Sequence, residues 1–135
     1  MMNKLLRILL VGIAVVVGLS ISFIIYLIIA FTDTDVVTSS KSESGDYEII
    51  IESDHPFTFG SHTVYVYGKE NNSPKKLLFS TELANDGKAL GEENVIIKWN
   101  GNKAIITLKG EEKEDEIHQI EFTPRKVKVS NMETK

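Results

Sequence analysis

A chain of 135 residues with 42% hydrophobic and 25% charged residues has ordinary averages that conceal a sharp division along its length. Lys4 and Arg7 are the only charged side chains before Asp33, and removing their two charges from the net −4 leaves −6 on the rest. That acidity excludes a broad basic face for nucleic acid. The absence of cysteine excludes a disulfide framework, a zinc-thiolate site, a thiol nucleophile and a lipidated cysteine.

From Ile8 to Phe31 the chain carries no charge, and a helix of about two dozen residues spans roughly 36 Å, enough to cross a bilayer with some tilt. Gly12, Gly18, Ser20 and Ser22 are scattered among Ile, Leu, Val and Phe without forming a polar face, so the segment is not built to lie flat at an interface. It is longer than the apolar region of a signal peptide and lacks a small-x-small cleavage site near its end, which favours an anchor over a cleaved leader. Tyr26 suits the headgroup region. Lys4 and Arg7 before the helix, against Asp33 and Asp35 after it, place residues 1–7 in the cytoplasm and the C-terminal part outside the cell membrane.

Residues 32–45 are rich in Thr, Ser, Asp and Glu, the composition of a flexible tether. From 46 to 130 short runs of β-branched and aromatic residues alternate with turn-forming clusters, and residues 131–135 read as a tail. Six strands are expected. In the first, Tyr47 to Ser53, Tyr47, Ile49 and Ile51 share a face. In the second, His62 to Gly68, Val64 and Val66 alternate with Tyr65 and Tyr67. After the turn Asn71-Asn72-Ser73-Pro74, the third strand, Lys76 to Thr81, places Leu77 and Phe79 together. A long irregular stretch, Glu82 to Glu93, follows.

The fourth and fifth strands, Val95 to Trp99 and Ala104 to Leu108, flank Asn100-Gly101-Asn102-Lys103 as a hairpin, because Gly and Asn accept the positive φ of a two-residue turn. The sixth, Ile117 to Thr123, puts His118, Ile120 and Phe122 inward. The fold class is therefore mostly β: a transmembrane helix followed by a small antiparallel sheet or sandwich whose core includes Phe79, Trp99 and Phe122.

Candidate chemistry is sparse. His55, His62 and His118 match no metal-ligand spacing, and His118 on an apolar face reads as a hydrogen-bonded core histidine. Glu82 to Gly87 with Glu93 echoes a calcium loop, but Ala84 stands where a ligand oxygen is needed, and a turn through Asn85-Asp86-Gly87 explains the same residues. The carboxylates of 111–116 sit on a solvated connection, without the rigid pairing a hydrolase requires. No nucleophile elbow or phosphate loop is present. Neither enzyme chemistry nor a cofactor or metal is expected. Phe57, Phe59, Tyr65 and Tyr67 concentrate aromatic side chains in and after one loop and are the candidate partner-binding residues, the competing reading being that the phenylalanines cap the sheet.

Ser44-Gly45-Asp46-Tyr47 opening the first strand, Phe59-Gly60 before the second, and Ile97-Lys98-Trp99 with Ile105-Ile106 in the hairpin resemble a family of small single-pass membrane proteins of Gram-positive bacteria, known as a domain of unknown function. The opening departs from that family's usual Ser-Pro-Asp-Gly. The resemblance implies a membrane-tethered β domain and supplies no activity. The expected function is a non-catalytic extracytoplasmic module that contacts a protein or envelope component. The alternatives are an accessory subunit whose helix, with Gly12 and Gly18, packs on another membrane protein, and an envelope immunity or exclusion factor.

Overall fold

The computed structural model describes residues 3–54, 60–124 and 126–132. The chain divides into two units, Met1–Asp33 and Thr34–Lys135. The first contains helix α1, Lys4–Thr32. Its stretch Lys4–Ala30 contains an 18-residue window with a mean hydropathy of 2.9 and is long and apolar enough to cross a membrane. Apolar side chains stand exposed on all sides of it, as they do on a helix whose solvent is lipid. The Ser20 hydroxyl donates to the Val16 carbonyl at 2.9 Å, so it needs no external partner in an apolar surrounding.

The second unit is two four-stranded antiparallel sheets. The first sheet runs in chain order through β1 (Thr34–Lys41), β2 (Tyr47–Asp54), β3 (His62–Glu70) and β4 (Lys76–Leu83). The second runs, likewise in order, through β5 (Val95–Asn100), β6 (Lys103–Leu108), β7 (Glu116–Thr123) and β8 (Lys126–Met132). Eight strands among the described residues therefore replace the six expected. The tether expected at 32–45 is corrected by β1, whose eight residues pair along β2 from Thr34↔Asp54 to Lys41↔Glu48. Its Thr and Ser residues hid it, because β1 is an edge strand with much of its surface exposed. The last strand was hidden by Pro124, which belongs to the turn joining Thr123 to Lys126.

Period-two burial builds the core. Ile49, Ile51, Val64, Val66 and Leu83 from the first sheet meet Val95, Ala104, Ile106, Leu108, Ile120 and Phe122 from the second. Tyr47 stacks on Phe122 with ring centroids 4.7 Å apart. Phe122 is buried as expected, while Phe79 and Trp99 are partly buried at the core's margin.

Two β-bulges add to this core. In β1, Val36 pairs with Glu52 and Thr38 with Ile51, which leaves Val37 as the extra residue. In β4, Phe79 pairs with Val66 and Leu77 with Tyr67, which leaves Leu78 as the extra residue. Both Val37 and Leu78 pack against the core, so each bulge turns in a side chain that strict alternation would have sent out. Leu77 consequently lies outward, 53% exposed, and does not share a face with Phe79.

The tight connections 41–47, 70–76, 100–103 and 123–126 all lie at one end of the strands, opposite the end where Thr34 begins β1. The hairpin expected around Gly101 has the pair Asn100↔Lys103. Gly101 takes φ +60° there, the left-handed region that a side chain would strain.

Candidate functional site

The outward face of the first sheet collects the most unusual surface of the domain. Adjacent ladder positions place Ile50 beside Tyr67 and Tyr67 beside Leu77; the next row places Val36 beside Glu52, Glu52 beside Tyr65, and Tyr65 beside Ser80. Val36 and Leu77 are exposed, while Ile50, Tyr65 and Tyr67 are partly buried. The open face of an antiparallel sheet is ordinarily polar, so this run of apolar and aromatic residues is informative.

Glu52 lies in the middle of it and is only 6% exposed. Its Oε2 accepts from the Thr34 hydroxyl at 3.2 Å, and its Oε1 accepts from the Lys75 ammonium. The same Lys75 Nζ stands 4.3 Å from the centroid of the Tyr67 ring, where the quadrupole of the ring attracts a cation. A shallow depression of about 610 Å³ adjoins it, lined by Ile50, Lys69, Asn71, Ser73, Pro74 and Lys75 among others. The charged pair Lys69 and Glu48, 3.8 Å apart, borders the face on β2 and β3.

Of the four aromatic residues singled out in the sequence, Tyr65 and Tyr67 are brought onto this face. Phe57 and Phe59 lie outside the described residues, as does His55. Sequence reasoning missed Glu52 and Lys75. Glu52 was legible as an outward residue of the first expected strand, yet its burial depends on Lys75, which reaches it from a turn 23 residues away.

A second concavity, about 360 Å³, opens between the sheets at the end with the tight turns, with Leu78, Phe122 and Val127 against its apolar side and Glu70, Lys76 and Lys126 around it. Gly68 belongs to its wall. A Cβ there would come 3.0 Å from Leu78 Cδ1 and 3.1 Å from Phe122 Cε1, closer than packed side chains tolerate without shifting.

The other buried polar groups hold the sandwich together. His62 Nε2 is 2.8 Å from the Lys88 carbonyl and its Nδ1 is 3.1 Å from the Asp54 carbonyl, so a neutral ring ties β3 either to the loop after β4 or to the end of β2, according to which nitrogen carries the proton. His118, as expected, is a hydrogen-bonded core histidine. Its Nδ1 is 2.8 Å from Asn131 Oδ1, and its ring lies against Phe79 at 4.3 Å. Glu116 meets His118 on one side and accepts from the Thr81 hydroxyl on the other at 2.9 Å.

The segment that echoed a calcium loop is a turn. Asp86 and Gly87 take φ +51° and +72°, and Asn85 spends its amide on the Lys88 and Ala89 carbonyls. Among the described residues no group of His, Asp and Glu is placed to hold a metal ion.

No protein-family model, curated protein or solved structure matches the chain.

Proposed function

We propose that the chain is a single-pass protein of the cell membrane whose helix anchors a non-catalytic β-sandwich outside the cell, and that this sandwich captures a protein or envelope partner on the outward face of its first sheet. The observation that carries the reading is the contiguous surface of Ile50, Tyr65, Tyr67 and Leu77 around the buried Glu52 carboxylate. Aromatic side chains with a desolvated charge at their centre are the composition of an interface hot spot. The outward face of the second sheet also carries apolar residues, Ile96, Ile117 and Met132 in one row and Ile105 in the next, but they are set among Lys98, Lys103, Gln119, Glu121 and Lys128, with no buried charge among the described residues.

The non-catalytic part of the reading is supported by the way the buried polar side chains are used. His62, His118, Asn85 and Asn94 each spend their bonds on main-chain or side-chain partners within the sandwich, and residues 111–115 are exposed. The orientation is supported by Lys4 and Arg7 in the first turns of the helix, ahead of its uncharged run.

The test is photocrosslinking from single positions in intact membranes. With a benzophenone amino acid at Leu77, a discrete partner is captured, and at Lys98 on the opposite sheet it is not. Tyr65→Ala with Tyr67→Ala diminishes the Leu77 capture without lowering the melting temperature by more than a few degrees. Equal capture from Leu77 and Lys98 would remove the first sheet from the role.

A second reading, an accessory subunit recruited through its helix, is favoured by Ala14, Gly18 and Ser22, which recur every four residues and so share one helix face where backbones can approach closely. Exchange of residues 8–31 for an unrelated membrane helix abolishes function on this reading and preserves it on the first.

A further inference from the structure

On the outward face of the first sheet the Glu52 carboxylate and the Tyr67 ring both meet the ammonium of Lys75. Glu52 is the least exposed carboxylate on that face, with 8% of its side chain accessible, whereas the Lys75 side chain paired with it is 44% accessible. The carboxylate is thus built into the sheet, and the ammonium is laid on from outside. Two features fix the carboxylate without Lys75. Glu52 lies within the β2 ladder between Val36 and Tyr65, and its second oxygen is held by Thr34.

Lys75 is held through its ammonium, by Glu52 and the Tyr67 ring. The β3–β4 ladder ends at Gly68↔Lys76, so Lys75 belongs to the turn, and no ladder bond need break for its side chain to turn away. Were it to leave, Glu52 Oε1 would lose its donor and the face of Tyr67 would lose its cation, in a unit, Thr34–Lys135, whose 13 basic and 18 acidic side chains give it a net charge of −5. An uncompensated buried carboxylate is costly, so the site favours replacement of Lys75 by another ammonium over vacancy.

We infer that this cradle, Glu52 with the Tyr67 ring, is a recognition site for a primary alkylammonium group of a partner, and that Lys75 is an internal occupant which the partner's ammonium displaces. A primary ammonium is chosen over a quaternary one because Oε1 accepts a hydrogen bond from Lys75, and only an N–H bearing cation reproduces it. The body of the ligand lies in the neighbouring depression lined by Ile50, Ser73 and Pro74. The inference rests on the proposed binding role of this face and names the chemistry it reads.

The experiment uses the full chain in nonionic maltoside micelles, which carry no competing ammonium headgroup. The Glu52 carboxyl carbon and Tyr67 ring resonances are followed by NMR during titration with n-butylammonium, tetramethylammonium and a heptalysine peptide. If Lys75 fills the site for nine-tenths of the time or more, its removal tightens the apparent affinity at least about ten-fold. Lys75→Ala is therefore expected to bind n-butylammonium at least that much more tightly than the wild type, to bind tetramethylammonium weakly, and to lose the response when Glu52→Gln is added.

Saturable shifts with heptalysine as well identify a basic polypeptide as the source of the ammonium, and shifts with n-butylammonium alone identify a small amine. The inference is overturned if Lys75→Ala, with the circular dichroism of the wild type, binds n-butylammonium no better than the wild type, or if the added Glu52→Gln leaves binding intact. Should Lys75→Ala fail to fold, Lys75→Met keeps the apolar stem and removes only the charge. Retained crosslinking from Leu77 alongside absent ammonium binding would overturn the cation site and leave the binding role of the face standing.

Discussion

The indole N–H of Trp99 donates to the Ser40 hydroxyl at 3.0 Å, joining β5 of one sheet to β1 of the other across 59 residues of chain. The bond closes the margin of the core where Trp99 also lies 5.9 Å from the ring of Phe122. It makes β1, a strand of Thr and Ser with little apolar content, part of the sandwich. Ser40→Ala leaves a partly buried donor without its partner and is expected to lower the unfolding free energy by about 1 kcal/mol. Chemical denaturation followed by the fluorescence of Trp99, the chain's single tryptophan, measures it.

Phe122, 1% exposed, lies against Tyr47 of the first sheet and Trp99 of the second. Phe122→Ala empties that volume and is expected to cost about 3–5 kcal/mol. Gly68→Ala acts in the opposite sense, by overpacking against Leu78 and Phe122, and is expected to cost about 1–3 kcal/mol. Combined with Phe122→Ala, the added methyl group finds space, so the double variant should be more stable than the sum of the two losses. Denaturation midpoints of the four proteins decide this, and simple additivity would show that Gly68 is not held by Phe122.

The irregular stretch after β4 is fastened by a pair of asparagines. Asn94 Nδ2 donates to Asn85 Oδ1 at 3.2 Å and to the Lys109 carbonyl at 2.9 Å, and its Oδ1 accepts from Gly91 N–H at 3.0 Å. Asn94→Ala leaves these buried groups unpaired, an expected loss of about 1–3 kcal/mol. Hydrogen exchange should accelerate chiefly across residues 84–94, with the β2–β3 ladder unaffected. Uniform acceleration over both sheets would mean that the loop does not open separately.

Lys88 and Glu111 pair at 2.8 Å at the edge of the same loop. The hydrogen bond from Lys88 holds the Glu111 carboxyl below the ordinary 4.5, and the bond to Glu111 raises Lys88 above 10.5. The depressed carboxylate contributes stability above 4.5 that is lost as pH falls through its lowered folded value. The raised ammonium contributes stability below 10.5 that is lost as pH climbs through its raised folded value. Both side chains are exposed, Lys88 by 68% and Glu111 by 42%, so solvent and salt screen the pair. Lys88→Ala should change the melting temperature slightly at neutral pH and low salt, and the difference should vanish in molar salt or in acid. A difference that persists in acid would assign the effect to the Lys88 main chain held by His62.

The absence of cysteine makes the membrane arrangement directly measurable. Ser44→Cys, in the exposed turn between β1 and β2, is expected to react with a membrane-impermeant maleimide on intact cells, and Asn3→Cys only after permeabilisation. The reverse pattern would invert the proposed orientation.

Local features of the sequence determined a good deal of this protein. An uncharged run of membrane length, the alternation Tyr47-Ile49-Ile51 and His118-Ile120-Phe122, and the glycine of the β5–β6 turn each express a rule that acts over a few residues, namely chain length against bilayer thickness, side-chain period and allowed φ. The aromatic pair Tyr65 and Tyr67 was legible for the same reason. What the sequence could not express was anything that depends on a partner distant along the chain. β1 is a strand because β2 lends it a ladder and Trp99 meets Ser40, whereas its own composition favours solvent. Val37 and Leu78 enter the core because bulges reverse the alternation, and a bulge is defined only by the register of two strands. Glu52 is buried because Thr34 and Lys75 close over it from two other elements. Tertiary structure decided the candidate site for this physical reason: burial and charge pairing are properties of assembled surfaces, and a residue's own neighbours in the chain do not contain them.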